Sequence, residues 1–226
     1  MLWSTLVHRR HNKMTTLQWV QKSKIIAIVR GLSSEHILNL ANALFEGGID
    51  LIEVTFNQAK PETWKETADA IRALQTNMEG KMLAGAGTVI TEEQLQISID
   101  AGAKYIVTPN TNIKLIHKVK AAGLCAFTGA MTPSEIIQTY EAGADAVKIF
   151  PAGTLGTSYI KAIRAPLNWI PMMAVGGVNE KNIAEFLAAG CCGVGVGGNL
   201  VNKDWIHAGE WDKITALAKE YRKAVK

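Results

Sequence analysis

The sequence predicts a single-domain α/β protein, a (β/α)8 TIM barrel in which eight parallel strands close into a cylinder surrounded by helices. One sequence pattern recurs along the 226 residues: a helix-like segment, then glycine, then a short apolar strand. Gly102, Gly123 and Gly143 belong to successive copies of this pattern at intervals of about 20 residues, which is typical of repeated βα modules. Eight such modules fill the chain, and that number favours a closed barrel over an open doubly wound sheet.

Eight apolar segments are predicted to be the strands. They are residues 24–30, 51–56, 82–88, 105–108, 124–128, 145–150, 172–176 and 192–196. Most of them are continuous apolar runs, which is typical of parallel strands that are buried on both faces. Because helical segments alternate with them, the helices are expected to cover the outside of the sheet.

The segments between the strands have the periodicity and the capping residues of helices. Apolar residues recur there at helical spacing. Thr91 is followed three residues later by Gln94, and Thr132 is followed by Pro133 and Glu135. Both patterns are typical of a helix start, in which the threonine caps the first turn. Glycine then ends the helix, since it adopts the left-handed conformation that this position requires.

The composition excludes several classes of protein. Apolar residues make up 48% of the chain and charged residues 19%, so a packed core is expected rather than disorder. No apolar run reaches the roughly 18 residues that cross a bilayer. The net charge of +4 is spread along the chain, which does not indicate a nucleic-acid partner. Three cysteines without C-x-x-C spacing predict reduced thiols in a cytoplasmic protein.

The chain is predicted to hold one domain, residues 17–226, with no linker inside it. Residues 1–16 are expected to be an N-terminal extension that is disordered or that precedes the true start, for which Met14 is the hypothesis. In this extension a short apolar piece comes before the basic run HRRHNK. A secretory signal has the reverse order, so none is predicted.

Polar residues at the carboxyl ends of the predicted strands mark the candidate active site, because barrels of this kind carry their chemistry at that end. Arg30 ends the first strand, Glu53 lies in the second and Thr88 ends the third. Lys148 lies inside the sixth strand, in the stretch GADAVKIFPAG, among apolar residues that would bury it. A buried ammonium loses its hydration, so it must be compensated or lose its proton.

These residue types favour Schiff-base chemistry. Desolvation of Lys148, with Arg30 nearby, favours the neutral amine, which attacks ketones. Glu53 is then available as the acid/base, and Arg30 suits the carboxylate of an α-keto acid. A structural interpretation stays open beside this one: Glu53 paired with Arg30 or Lys148 would form a salt bridge that braces the barrel.

Two glycine pairs follow the seventh and eighth predicted strands, in AVGGVNEKN and GVGVGGNLV. Barrels often hold a phosphate at these two strand ends through backbone amides. Glycine also serves tight turns, so a structural role for the two pairs stays open beside the phosphate site.

No metal and no cofactor are predicted. The five histidines have neither H-x-H nor H-E-x-x-H spacing, and two of them lie in the N-terminal extension. No G-x-G-x-x-G opens the first helix, so a nucleotide site of the Rossmann kind is not indicated either.

Taken together, the strand-end motifs resemble those of the 2-keto-3-deoxy-6-phosphogluconate aldolases, a family whose members often also act on 4-hydroxy-2-oxoglutarate. The motifs are IAIVRG, GGIDLIEVTF, GAGTV, IVTPN, TGAMTPSE, AVKIFPA, AVGGVN and GVGVGGNLV. The resemblance runs from about residue 17 to the C-terminus. It implies a metal-free class I aldolase, a lyase on a (β/α)8 barrel, usually trimeric, that yields pyruvate and an aldehyde.

The resemblance also implies the roles of single residues. Lys148 matches the Schiff-base lysine and Glu53 matches the acid/base. The implied substrate-binding residues are Arg30 and Thr88 at the pyruvyl carboxylate, Pro109 and Phe150 in the pocket wall, and Gly176, Gly177, Gly197, Gly198 and Asn199 on the phosphate side.

Four positions depart from the pattern of the family. Asn57 stands where many members have arginine, so the carboxylate is left to Arg30. Thr128 replaces a proline, Val175 replaces a threonine and its hydroxyl, and Asn199 can still donate through its amide. These changes affect the aldehyde half of the site and leave the Schiff-base step untouched.

The leading hypothesis is therefore retro-aldol cleavage of a 2-keto-4-hydroxy acid by Lys148 and Glu53. The candidate substrates are 2-keto-3-deoxy-6-phosphogluconate, its galactonate-derived epimer and 4-hydroxy-2-oxoglutarate. One alternative is a phosphate-binding barrel isomerase or epimerase in which Glu53 is the base and no covalent intermediate forms. Another is a non-catalytic barrel that serves binding or assembly. The expected partners are a small keto acid and two further copies of the chain, without nucleic acid or membrane.

Overall fold

A computed structural model describes residues 14–225, and it forms a closed barrel of eight parallel strands in sequential order. The strands are β1 (Ile25–Arg30), β2 (Leu51–Thr55), β3 (Leu83–Gly87), β4 (Tyr105–Val107), β5 (Cys125–Ala130), β6 (Ala146–Ile149), β7 (Met172–Val175) and β8 (Gly193–Val196). The barrel closes because β1 pairs with β8 as well as with β2. The predicted (β/α)8 fold is confirmed.

Each predicted strand is present, with small differences at the ends. The largest difference is at β5, which runs two residues beyond the predicted end to Ala130. These residues are strand because β5 pairs with β6 along its length, up to the pair Ala130 and Ile149. Pairing with a neighbour extends a strand past the point where its own apolar run stops.

Helices follow the strands and cover the outside of the barrel. They are α1 (Thr16–Ser23), α2 (Ser34–Glu46), α3 (Trp64–Asn77), α4 (Glu92–Asp100), α5 (Ile113–Ala121), α6 (Pro133–Glu141), α7 (Ala152–Arg164), α8 (Ile183–Ala188), α9 (Lys203–His207) and α10 (Trp211–Ala224), with a 3-10 turn at Pro61–Thr63. Both predicted capping boxes are present, at Thr91 with Gln94 and at Thr132 with Glu135.

Helix α1 is an element that the sequence patterns did not predict. Thr15 caps it, and Val20 packs in the cluster that fills the inside of the barrel. Trp19 Nε1 donates a hydrogen bond of 2.8 Å to Asp50 at the start of β2. Because Asp50 lies at the amino end of its strand, α1 covers the end of the barrel opposite the strand carboxyl ends. The predicted extension lies outside the described residues for positions 1–13.

Alternation along β6 explains how the barrel presents a lysine to its interior. Val147 and Ile149 belong to the outer core between sheet and helices, and Ala146 belongs to the inner cluster. Successive side chains of a strand point to opposite faces, so Lys148 points inward like Ala146. It lies on the carboxyl side of Ala146, above the apolar residues that fill the barrel.

None of the helices within residues 14–225 has the length and apolar character needed to cross a membrane.

Candidate active site

A cavity of about 680 Å³ lies at the carboxyl ends of the strands. All eleven residues that the sequence nominated for catalysis or substrate binding line it: Arg30, Glu53, Thr88, Pro109, Lys148, Phe150, Gly176, Gly177, Gly197, Gly198 and Asn199. They come from the carboxyl ends of seven of the eight strands, all except β5. The closed barrel brings them together because all its strands run in the same direction.

Lys148 lies in the wall of the cavity with only 6% of its surface exposed. Its Nζ lies 5.1 Å from the centre of the Phe150 ring, over the ring face. Burial lowers the pKa of Lys148, the Glu53 carboxylate opposes this effect, and Arg30 adds to it. The neutral, nucleophilic form of the amine is therefore more accessible here than on the protein surface.

Glu53 lies in the same cavity and is 2% exposed. Burial raises the pKa of Glu53, although the charges of Lys148 and Arg30 lower it. Among residues 14–225, no ion pair within 4.0 Å includes Glu53, Lys148 or Arg30. The arrangement therefore differs from the close salt bridge that a purely structural role for Glu53 requires, and both groups line the cavity.

Gly87 makes room for the Glu53 carboxyl group, a role that the sequence reasoning missed. A Cβ atom at Gly87 would overlap Oε1, Cδ and Cγ of Glu53. Glycine at the end of β3 therefore fixes where the carboxyl group of β2 can lie.

Replacement of Gly87 by alanine is expected to lower kcat/KM by roughly 10²-fold, because the new methyl group displaces Glu53 by about 1 Å or more. The backbone of Gly87 does not have a positive φ, so alanine fits the strand itself. Steady-state kinetics together with the melting temperature will test this. Full activity in a folded Gly87→Ala protein would contradict the assigned position of Glu53.

Arg30 and Thr88 line both this cavity and a second one of about 540 Å³. Arg30 is exposed at the end of β1, and Thr88 is half-buried directly after β3. Thr88 has a φ of 55°, a left-handed conformation that is unusual for a β-branched residue. The two residues lie on either side of β2, at the ends of β1 and β3, and because they line the same cavity they can face one anionic group together.

The glycine pairs after β7 and β8 differ in what they do. Gly176 and Gly177 have φ values of 88° and 76°, and a Cβ at Gly177 would come within 3.0 Å of Gly153 Cα. The Gly153 N–H also donates a hydrogen bond of 2.7 Å to the Gly176 carbonyl. The first pair is therefore required by close packing of two loops. A Cβ at Gly198 would meet nothing within 4 Å, so the second pair leaves open space beside the cavity.

Asn199 joins the loops that follow β7 and β8. Its Nδ2 donates a hydrogen bond of 3.0 Å to the Val178 carbonyl. The side-chain amide is therefore partly engaged by the protein, while the residue still lines the cavity.

Several residues of the cavity were not nominated from the sequence. Val201, Asn202, Lys203 and Asp204 line its rim at the start of α9. Lys203 is an exposed cation that lines both cavities. Only its position after the last strand could have indicated it, since no recognisable motif includes it. In the described part of the chain there is no group of three or more His, Cys, Asp or Glu residues that could hold a metal ion.

The closed barrel and the cavity at its strand ends are those of a (β/α)8-barrel enzyme. The chain belongs to the KDPG and KHG aldolase family, whose model matches residues 17–217. The family and the lyase class predicted from the sequence are thereby confirmed.

Relatives agree with this assignment. The chain is 35% identical to the 2-dehydro-3-deoxy-6-phosphogalactonate aldolase of Escherichia coli (strain K12), over 92% of this chain and 100% of the relative. It is 33% identical to the 2-dehydro-3-deoxy-phosphogluconate aldolase of Haemophilus influenzae, over 91% of this chain and 96% of the relative.

Solved structures are similar over nearly the whole chain. A native KDPGal structure superposes with a TM-score of 0.79 at 31% identity and covers 100% of this chain and 97% of its own. A KDPG aldolase from Legionella pneumophila, with pyruvate captured as a covalent carbinolamine intermediate, superposes with a TM-score of 0.81 at 29% identity. That match covers 90% of this chain and 96% of the Legionella chain.

Proposed function

We propose that the protein is a class I aldolase that cleaves a 2-keto-4-hydroxy acid to pyruvate and an aldehyde through a Schiff base on Lys148. The observation that carries this proposal is a lysine buried in the wall of the strand-end cavity, its pKa lowered, with a buried carboxyl group in the same cavity. The carbinolamine captured in the Legionella relative supports the same chemistry.

The proposed reaction uses groups that the cavity supplies. Neutral Lys148 Nζ attacks the keto carbon to form a carbinolamine, which loses water to give an iminium. Glu53 then accepts the proton of the C4 hydroxyl as the C3–C4 bond breaks. The electron pair of that bond moves toward the iminium, which gives an enamine and releases the aldehyde. Glu53 returns the proton to C3, and water releases pyruvate from the lysine. Arg30 and Thr88 hold the substrate carboxylate throughout.

Reductive trapping tests the proposal. The protein is incubated with pyruvate and borohydride, measured by intact mass and mapped by peptide analysis. We expect one reduced pyruvyl group, on Lys148. A folded protein that forms no adduct would favour the isomerase, epimerase or non-catalytic alternatives and would leave Lys148 as a structural residue.

The aldehyde half of the substrate is proposed to carry a phosphate held beside Gly197 and Gly198. The open space at Gly198 and the phosphorylated substrates named for the relatives support this. The candidates are 2-keto-3-deoxy-6-phosphogluconate and its galactonate-derived epimer, and a panel that includes unphosphorylated 4-hydroxy-2-oxoglutarate will distinguish them.

A methyl group at Gly198 would occupy the open space that is proposed for the phosphate and would keep the phosphate from the backbone N–H. Gly198→Ala is therefore expected to raise KM for the phosphorylated substrate roughly tenfold, about the cost of losing one hydrogen bond to a charged group. The added methyl group has room in the protein, so the melting temperature and the pyruvate adduct are expected to be unchanged. Gly177→Ala is the contrasting variant, and it is expected to be destabilised because its φ is 76° and Gly153 is close. Equal KM values for Gly198→Ala and the parent protein would exclude phosphate binding at this loop.

We also propose a cytoplasmic homotrimer whose aldolase domain is residues 17–226. The free state of all three cysteines supports a reducing compartment. Ile90, Ile113 and Met131 are exposed apolar side chains that follow successive strands, and a partner subunit would cover them. Light scattering on the purified protein will give the number of subunits.

A further inference from the structure

Thr88, with its unusual left-handed φ, is hydrogen-bonded to a side chain from outside its own loop. Its carbonyl accepts a hydrogen bond of 2.6 Å from Gln58 Nε2, which comes from the loop after β2. Gln58 Oε1 in turn accepts a hydrogen bond of 2.8 Å from Gln94 Nε2 on α4. Two glutamine side chains therefore connect Thr88 to a helix that does not itself reach the cavity.

Gln94 is anchored at its other end to the same loop. It is completely buried, and its Oε1 accepts hydrogen bonds of 2.9 Å from Ile90 N and 3.3 Å from Thr91 N. Its acceptor thus fixes the far end of the segment that begins at Thr88, while its donor reaches Gln58. A glutamate would serve the capping box equally well, but an ionised carboxylate could not donate to Gln58.

We propose that Gln58 and Gln94 are positioning residues that hold Thr88 in the left-handed turn and so shape the site for the substrate carboxylate. This inference rests on the proposed function, because the carboxylate is that of the keto acid bound to Lys148. Without the hydrogen bond to its carbonyl, Thr88 is expected to return to the extended conformation that β-branched residues favour. The residue would then move away from the position it shares with Arg30 at the cavity wall.

The test uses Gln58→Met, because Gln58 is exposed and its replacement is not expected to destabilise the fold as the loss of a core residue would. We expect the pyruvate concentration that gives half-maximal trapping on Lys148 to rise roughly tenfold, with the rate at saturation nearly unchanged, since the lost contact serves binding. Acetaldehyde has no carboxylate, so its trapping on Lys148 is expected to be unaffected. Gln94→Leu should show the same selective loss together with a lower melting temperature.

Gln96→Met is the matched control, since Gln96 is an exposed glutamine on α4 whose Nε2 bonds only Asp100. It is expected to behave like the parent protein. Equal weakening of pyruvate and acetaldehyde trapping in Gln58→Met would overturn the inference, as would an unchanged pyruvate dependence. If the parent protein formed no adduct with pyruvate, the proposed function would fail first and this inference would fail with it.

Discussion

Lys148→Arg is expected to abolish both turnover and the borohydride-stabilised pyruvate adduct. Arginine keeps a positive charge and a similar length, but its guanidinium stays protonated and has no free amine electron pair to attack a ketone. Loss of the nucleophile is expected to lower kcat by a factor on the order of 10⁶, the size of effect seen where a covalent catalyst is removed. Intact mass after trapping and a coupled pyruvate assay measure the two losses separately.

Lys104→Arg is the matched control for this variant. Lys104 is exposed and precedes β4, so it lies at the amino end of the barrel, away from the cavity. Its replacement is expected to leave the adduct and the turnover at parental levels. Appreciable turnover by Lys148→Arg would exclude a Schiff base at this position, whatever the behaviour of the control.

The fold could be predicted from the sequence because its determinants are local and repeated. Each unit has its own helix, its glycine stop and its apolar strand, so every strand was found to within two residues of either end. Helix α1 was missed because it is only eight residues long, and its apolar residues pack against a cluster drawn from many strands of the barrel, which are distant in the sequence.

The predicted site residues could be found because the sequence shows locally which residues end a strand. In a parallel barrel all these strand ends meet at one cavity. Gly87 was missed because its role depends on the orientation of the Glu53 side chain on the adjacent strand. The spacing of apolar residues along the sequence does not give that orientation. The link between Gln58 and Gln94 spans the loops after two neighbouring strands, and in the sequence Gln94 is recognisable only as a capping residue. Lys203 belongs to no motif. Contacts between separate βα units are what the sequence alone could not provide.

Glu53→Gln is expected to lower kcat by about 10²- to 10⁴-fold, the usual contribution of a general acid/base, while trapping by pyruvate continues. The amide cannot accept the proton of the C4 hydroxyl, so cleavage slows, but Lys148 retains its amine. A multiple-turnover assay is compared with the yield of reductive trapping in the same variant. Loss of trapping and turnover to the same extent, in a folded protein, would contradict the division of roles between Lys148 and Glu53.

The pH dependence of trapping in Glu53→Gln has a definite direction. The Glu53 carboxylate raises the pKa of Lys148 against the larger lowering by burial, so removing that charge lowers the lysine pKa further. More neutral amine is then present at a given pH, and the acidic limb of adduct formation should move to lower pH. Arg30→Met is expected to move that limb to higher pH, because Arg30 lowers the pKa of Lys148. Both profiles are measured at saturating pyruvate, and shifts in the same direction for the two variants would show that one of the two charges does not act on Lys148 as assigned.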